Sequence, residues 1–503
     1  MGSASSRASV ADTSSEKRVD DARTETETIS SLRNLNITDK PASQDGSLTL
    51  SQLDNWESSV AQDPKLLLAR TILTHSDITS TLLKIRQATV SDPHVFNTSV
   101  EFKTNPITSQ KSSGRCWLFA TTNVVRYSVM KKLGLKEFQL SQSYLFFYDK
   151  LEKANYYLEL SIEHADKPLD DRKVVHFADA PVNDGGQWDM AVNLLATYGV
   201  VPQSVYPESF SSSSSRPLDK LVTLKLREHA LILRDLSSKL HSTSSLSSEA
   251  ITSLLRKKKE ELLAEVWNIM SVTLGKPPGP DDTFVWDYET ADGKVKRWEG
   301  TPKDFYKDFS SQTYPPTESF SLINDPRNSY GKLYTVEGLG NIWGGRPVLY
   351  VNAEVDKLKE VVVKNIKAGQ PVFFGCDVGQ FSDRQAGIMD TELYDYENAF
   401  NITLNLTKAQ RLQVGESLMT HAMVISAVHI DPRSGKPVRY KVENSWGDDV
   451  GDKGWFVMSD KWFDEFVYQV VTPRVFAPKN LVDVFDKGDK VVLPPWDPMG
   501  SLA

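Results

Sequence analysis

Cysteine is nearly missing from this chain: two residues in 503, Cys116 and Cys376. So small a supply excludes a disulfide framework and points to a reducing compartment, with the cytoplasm as the expected location. Also missing is an apolar run long enough to span a bilayer, about 18 residues, and the N-terminus lacks the charged-then-apolar pattern of a signal peptide. Positive charge is not in excess: 58 Lys and Arg stand against 66 Asp and Glu, a net charge of −8. No global basic field therefore draws the chain to nucleic acid, and only local patches could. What remains is ordinary soluble composition, 40% hydrophobic and 25% charged, in a chain long enough for one elaborated domain or two to three ordinary ones.

The stretch QKSSGRCWLFATTNVVRY, Gln110 to Tyr127, carries the strongest chemical signal. Ser112, Ser113 and Gly114 form a turn, after which Trp117, Ala120, Val124 and Tyr127 recur at helical spacing as far as Gly134. Cys116 thus sits at a helix N-terminus, where unpaired N–H groups and the helix dipole favour the nucleophilic thiolate. Gln110 can place an amide beside it, and with the Cys116 backbone N–H it supplies two donors for a developing oxyanion. Taken alone, the same stretch fits a small buried cysteine on an ordinary amphipathic helix equally well.

A thiol nucleophile needs a base and a group to orient it. HAMVISAVHI reads as a buried strand that opens on His421, and RYKVENSWGDD as a strand ending in Asn444-Ser-Trp-Gly447. The Asn444 carbonyl can accept from one imidazole N–H while the other ring nitrogen faces Cys116, and Trp446 can shield that bond from water. Cys376, inside the apolar run PVFFGCDVG, lacks any such surroundings and is expected to be structural.

Residues 1–45 are rich in Ser, Thr and charge and read as a disordered tail. It opens MGSASSR, where Gly2 and Ser6 fit the N-myristoylation pattern as well as a plain solvated tail. Membrane contact is expected only if Gly2 is acylated, and one such chain binds marginally and reversibly. Residues 46–206 form a helical part that carries Cys116, with a helical stretch from Leu48 to Ser91 and later Asn183-Asp-Gly-Gly-Gln-Trp188 leading into a helix that stops at Gly199. Residues 207–340 hold an inserted helical hairpin whose apolar faces are Leu221, Leu224, Ala230, Leu233 and Leu240 on one helix, and Ile251, Leu254, Leu255, Leu262, Val266 and Ile269 on the other. Its basic run, Arg256 to Lys259, suits a solvated face, with nucleic-acid contact the minority reading. Residues 341–490 are rich in strands and carry His421 and Asn444, and 491–503 form a C-terminal arm.

Gln110, Cys116-Trp117, Asp184-Gly-Gly186, His421 and Asn444-Ser-Trp-Gly447 come in the order of the motifs of papain-like cysteine peptidases. Within that superfamily QKSSGRCWLFA, NDGGQWDM, SLMTHAMVIS, VENSWGD and WDPMGSLA resemble the bleomycin hydrolase family, from about residue 60 to the end. Ser113 stands where secreted relatives have a disulfide cysteine, and Arg115 replaces a small residue. The resemblance implies an α+β papain-like fold with a helical hairpin insertion and an extended C-terminal arm. It implies Cys116 as nucleophile, His421 as general acid/base, Asn444 as orienting group, Gln110 as oxyanion donor, and Gly185 and Gly186 as a rim for substrate backbone. It further implies a homohexamer with the arm in the active-site cleft, where the carboxylate of Ala503 would attract a free substrate amine. The expected activity is that of a cytosolic cysteine aminopeptidase acting through a thioester acyl-enzyme on peptides with a free N-terminus, and on amide or thiolactone analogues such as bleomycin or homocysteine thiolactone. No metal or cofactor is expected. The alternative is a nucleic-acid-binding hexameric scaffold with secondary peptidase activity.

Overall fold

The computed structural model describes residues 46–84, 93–243 and 246–502. The tail with Gly2, and the terminal Ala503, lie outside the described residues. The chain divides into two compact units: residues up to Thr81 with Tyr396–Ile402, and Leu82–Asp395 with Thr403–Ala503.

The first unit is built on α1 (Leu50–Gln62) and α2 (Pro64–Leu73). Thr49 and Gln52 cap α1 reciprocally. Asp63 then ends α1 and caps α2, accepting from the amides of Lys65 and Leu66, with Pro64 at the first helical position. Neither helix buries a residue, and Leu50, Trp56 and Leu68 are 79%, 53% and 62% exposed. The helical stretch expected from Leu48 to Ser91 is realised as far as Thr81; residues 85–92 are outside the described residues.

The second unit pairs a helical layer with a large sheet. Among its helices are α3 (Cys116–Leu133), α4 (Gln142–Glu163), α5 (Arg172–Asp179), α6 (Trp188–Tyr198), α7 (Arg216–His241), α8 (Ser248–Leu274), α9 (Pro302–Phe309) and α10 (Val355–Lys367). The strands are β1 (Thr98–Ser99), β2 (Phe284–Glu289), β3 (Val295–Gly300), β4 (Ser319–Ile323), β5 (Lys332–Val336), β6 (Tyr350–Asn352) and β7 (Val372–Cys376), followed by β8 (Ser382–Asp383), β9 (Ile388–Met389), β10 (His421–Ile430), β11 (Pro437–Glu443), β12 (Trp455–Ser459), β13 (Val467–Pro473) and β14 (Lys490–Leu493). The sheet runs β14-β5-β6-β4-β13-β7-β10-β11-β12-β9-β8, with β1 added to β10, and β2 and β3 form a separate hairpin. β4 and β5 thus come from the stretch read as an inserted region, and β14 begins just before the expected arm.

α3 stops where expected, because Gly134 adopts φ 65° and Lys131 and Lys132 occupy the last turn. In the helical hairpin the buried stripe of α7 is Leu218, Val222, Leu226, Ala230 and Leu233. Leu221 and Leu224, expected on that stripe, are exposed, because at 3.6 residues per turn they fall about 120° and about 180° from its centre. On α8, Leu254 is likewise exposed, while Ile251, Leu255, Leu262 and Val266 are buried. In the basic run, Arg256 and Lys259 pair with Glu159, and Lys258 pairs with Glu261.

Two apolar cores result. One gathers Trp117, Leu118, Tyr144, Phe147, Leu226 and Val266; the other lies between α10 and the sheet around Val361, Phe374, Met423 and Tyr440. α3 packs on β10 at the seam between them. The N-terminus of one and the start of the other are therefore neighbours.

Candidate active site

Cys116 is the first residue of α3, and the residue before it, Arg115, offers the helix no side-chain cap. The first-turn amides are left for other acceptors. Backbone N–H groups of Ala422, Trp117 and Cys116 itself reach the sulfur, and all three favour the thiolate. Burial opposes them and pushes the thiol up to about 11. Because Ala422 follows His421, the contact of its amide with the thiol sets the start of β10 against Cys116.

His421 opens β10 opposite Cys376 of β7. Its Nε2 lies 2.9 Å from Asn444 Oδ1, just past the end of β11, and the same oxygen accepts from the Ser445 amide at 2.8 Å. With Nε2–H donating to Asn444, the lone pair of the neutral ring is on Nδ1. Burial lowers the His421 pKa to about 4, against the raising effect of the Asn444 bond. The Trp446 ring lies 4.9 Å from the imidazole at 32° and covers this pair.

Gln110 is buried beside the same turn. Its Oε1 accepts from Ser445 Oγ at 2.7 Å and its Nε2 donates to the Ser113 carbonyl at 2.6 Å. One amide hydrogen remains for a second acceptor. Gly186 lies so close to the Trp117 ring that a Cβ there would come within 2.4 Å of it, and a Cβ on Gly185 would come within 2.7 Å of Leu502. Glycine is the residue that fits at both positions. The arm therefore rests on the rim. Gln187 Nε2 donates to the Ser501 carbonyl at 2.7 Å, and Ser501 Oγ donates to the Met419 carbonyl at 2.9 Å. A cavity of about 460 Å³ opens beside Gly185 and Leu502, lined also by Tyr156, Asn183 and Gly340.

The structure thus gathers Gln110, Cys116, Gly185, Gly186, His421, Asn444 and Trp446 around one cleft, while Ala503 is outside the described residues. Cys376 is fully buried, and burial first, then Asp377 and Cys116, push its thiol far up, as suits an inert structural residue.

Residues 47–500 match the Peptidase C1-like family. The chain belongs to the Peptidase C1-like family. It is 41% identical to cysteine proteinase 1, mitochondrial, of Saccharomyces cerevisiae over 91% of this chain and 93% of that protein. It is 41% identical to bleomycin hydrolase of Homo sapiens over 88% of this chain and 95% of the relative, and 43% identical to aminopeptidase C of Streptococcus thermophilus over 86% and 93%. Among solved structures, PepW from Lactobacillus rhamnosis HN001 superposes with a TM-score of 0.85 at 41% identity, over 92% of this chain and all of that one. The fold is the papain-like fold of this peptidase family, and the protein is a cysteine-type peptidase.

Sequence reasoning missed the groups behind the site. Arg115, noted only as a departure from smaller residues, is fully buried; its guanidinium meets Glu208 through both outer nitrogens, and Nε donates to Ser113 Oγ at 2.8 Å. Glu443 is buried with Arg126 of α3 as its ion-pair partner and accepts from Thr104 Oγ1 at 2.7 Å. Lys150 and Lys153 of α4 sit under the rim. The sequence signal was a Lys or Arg in an otherwise apolar helical setting.

Proposed function

We propose that the chain is a cysteine aminopeptidase, with Cys116 as nucleophile, His421 as general acid/base, Asn444 as orienting group and Gln110 as oxyanion donor. One observation carries this reading: His421 is held through Nε2 by Asn444 Oδ1 at 2.9 Å while the next residue's amide reaches the Cys116 sulfur. The Cys116 proton passes to His421 Nδ1 as sulfur attacks the substrate carbonyl and the C–S bond forms. The oxyanion is met by the free Gln110 Nε2–H and the Cys116 N–H. Collapse breaks the C–N bond, and His421 protonates the departing amine. Water then gives a proton to His421 and its oxygen to the thioester; the acid leaves and the proton returns to sulfur.

The C-terminal arm supplies exopeptidase selection in this reading. Leu502 lies on Gly185, where an extended substrate backbone would continue, so the arm limits how far a peptide can extend along the cleft. Names of relatives, aminopeptidase C and bleomycin hydrolase, support the substrate class. Bleomycin and homocysteine thiolactone fit as further substrates because each offers an amine near an acyl carbon. The apolar side chains exposed on α1 and α2 support assembly into a homohexamer, and the two unpaired cysteines support a cytoplasmic location.

The test is a pair of fluorogenic peptides, one with a free and one with an acetylated N-terminus, assayed with and without thiol alkylation. Alkylation-sensitive cleavage of the free-amine peptide alone is expected. Equal cleavage of both would remove the gate, and cleavage of neither would remove the peptidase assignment to this site.

A further inference from the structure

Beneath the rim lies a buried charge cluster that the reaction does not use directly. Asp184 Oδ1 pairs with Lys150 Nζ at 2.7 Å, and Oδ2 accepts from the Gly114 amide at 2.8 Å and from Ser215 Oγ. Its backbone carbonyl accepts from Trp117 Nε1 at 2.7 Å. Gly114 is in the turn that presents Cys116, Trp117 is the residue after it, and Asp184 directly precedes Gly185 and Gly186. One residue therefore grips the nucleophile from both sides and the rim from its own backbone. The fit is close, since a Cβ on Gly114 would come within 3.0 Å of Asp184 Cβ.

Lys150 is 1% exposed and is fully engaged, by Asp184, by Asp219 of α7 at 2.6 Å and by the Val182 carbonyl. Lys153, one turn further along α4, pairs with Asp149 at 2.7 Å and donates to the carbonyls of Asn183 at 2.9 Å and Gly185 at 2.6 Å. Burial works against the Asp184 charge, but Lys150 and the donors around it prevail and hold the carboxyl well below the usual range. The carboxylate thus stays a strong, charge-assisted acceptor for the Gly114 amide.

We propose that Asp184, paired with Lys150, is a positioning residue that locks the turn presenting Cys116 to the substrate rim. It touches neither thiol nor substrate; it acts through Gly114 and Trp117, so that nucleophile and rim keep one geometry as substrate binds. The proposal rests on the assignment of Cys116 as nucleophile. Loss of the lock lets sulfur drift from the attack geometry, which lowers kcat more than it raises KM, because misplacement by about 1 Å costs about 100-fold.

Removing Asp184 alone changes the charge of the buried cluster, with Lys150 left to Asp219, and can prevent folding. The decisive variants are therefore charge-neutral, made in the full chain: Asp184→Leu/Lys150→Met, which has no acceptor for Gly114, and Asp184→Asn/Lys150→Met, which keeps one. Both are assayed for kcat and KM on the free-amine peptide, for the rate of Cys116 alkylation, and for thermal unfolding. The expected result is kcat at least 100-fold down and slowed alkylation in the Leu/Met variant, KM within about fivefold, and recovery to within tenfold in the Asn/Met variant at the same Tm. A Leu/Met variant with kcat and alkylation rate within twofold of the parent would overturn the proposal, as would equal losses in both variants at equal Tm. If neither double variant folds, Ser215→Ala, which removes one anchor of the carboxylate without changing charge, decides: slowed Cys116 alkylation at unchanged Tm supports the lock, and an unchanged rate overturns it. A parent protein without thiol-dependent cleavage would instead defeat the peptidase assignment, a separate outcome.

Discussion

Cys116 and His421 sit in surroundings that disfavour the charge of each: burial pushes the thiol up to about 11 and the imidazole down to about 4. Between these values the thiol keeps its proton and the ring is neutral, so in the proposed reaction the base takes that proton as sulfur attacks. Activity should therefore be flat across neutral pH, with its acid limb well below pH 6.5; a kcat/KM profile with an acid midpoint at or above 6.5 would show that burial does not govern the base. Stability follows the same group. The folded pKa is depressed, so between pH 6.5 and 4 the unfolded chain binds more protons, and stability is lost as pH falls through that window. Comparing denaturant midpoints of the parent and His421→Ala at pH 7 and pH 4 should show about 3 kcal/mol more acid loss in the parent. Cys116→Ala should abolish turnover and leave the melting curve within about 1 kcal/mol, since one small buried group is lost. At this scale the positions were legible: the turn before Cys116, the strand opening at His421 and Asn444 ahead of Ser-Trp-Gly are where the sequence put them. Arg115 and Asp184 were not, because a charged letter does not say whether its partner is water or a carboxylate far away in sequence.

Elements meet at the site through two ties. Arg126 of α3 and Glu443 at the end of β11 form a buried ion pair, so the helix that opens at Cys116 is fastened to the strand that presents Asn444. Glu443→Gln leaves the Arg126 charge unpaired and should cost about 3–5 kcal/mol, whereas Arg126→Met/Glu443→Leu should recover most of it; chemical denaturation of the two reads this directly. The second tie holds the arm, through Gln187 on the Ser501 carbonyl. Gln187→Leu should loosen the arm and raise cleavage of the acetylated peptide relative to the free one, with Cys116 alkylation unchanged; an unaltered ratio would mean that Leu502 alone keeps the arm in place. Element type and most boundaries followed from periodicity and from Gly134 and Gly199. Missed were β4, β5 and the β2–β3 hairpin, whose short strands lack a long period, and the outward turn of Leu221 and Leu224, which only the packing of α7 on its neighbours selects.

For the whole molecule, deletion of Leu502 and Ala503 should shift products from single residues toward internal fragments, as read by mass spectrometry of a digested peptide. Sedimentation of the full chain should give a species six times the 56.4 kDa protomer; a monomer at micromolar concentration would remove the assembly proposal. Composition alone established a chain with no disulfide framework, no excess of basic charge and ample core. Order and spacing of Gln110, Cys116, Gly185, His421 and Asn444, through their resemblance to papain-like peptidases, pointed to the proposed chemistry, and turn, helix start and strand end were readable because neighbouring residues dictate them. Which distant groups are buried together was decided only by the tertiary structure. Whether Lys150 meets Asp184, Arg126 meets Glu443 or Leu502 meets Gly185 depends on the packing of α3 and α4 against the sheet and the arm, and desolvation, which gives those pairs their force, exists only once that packing is complete.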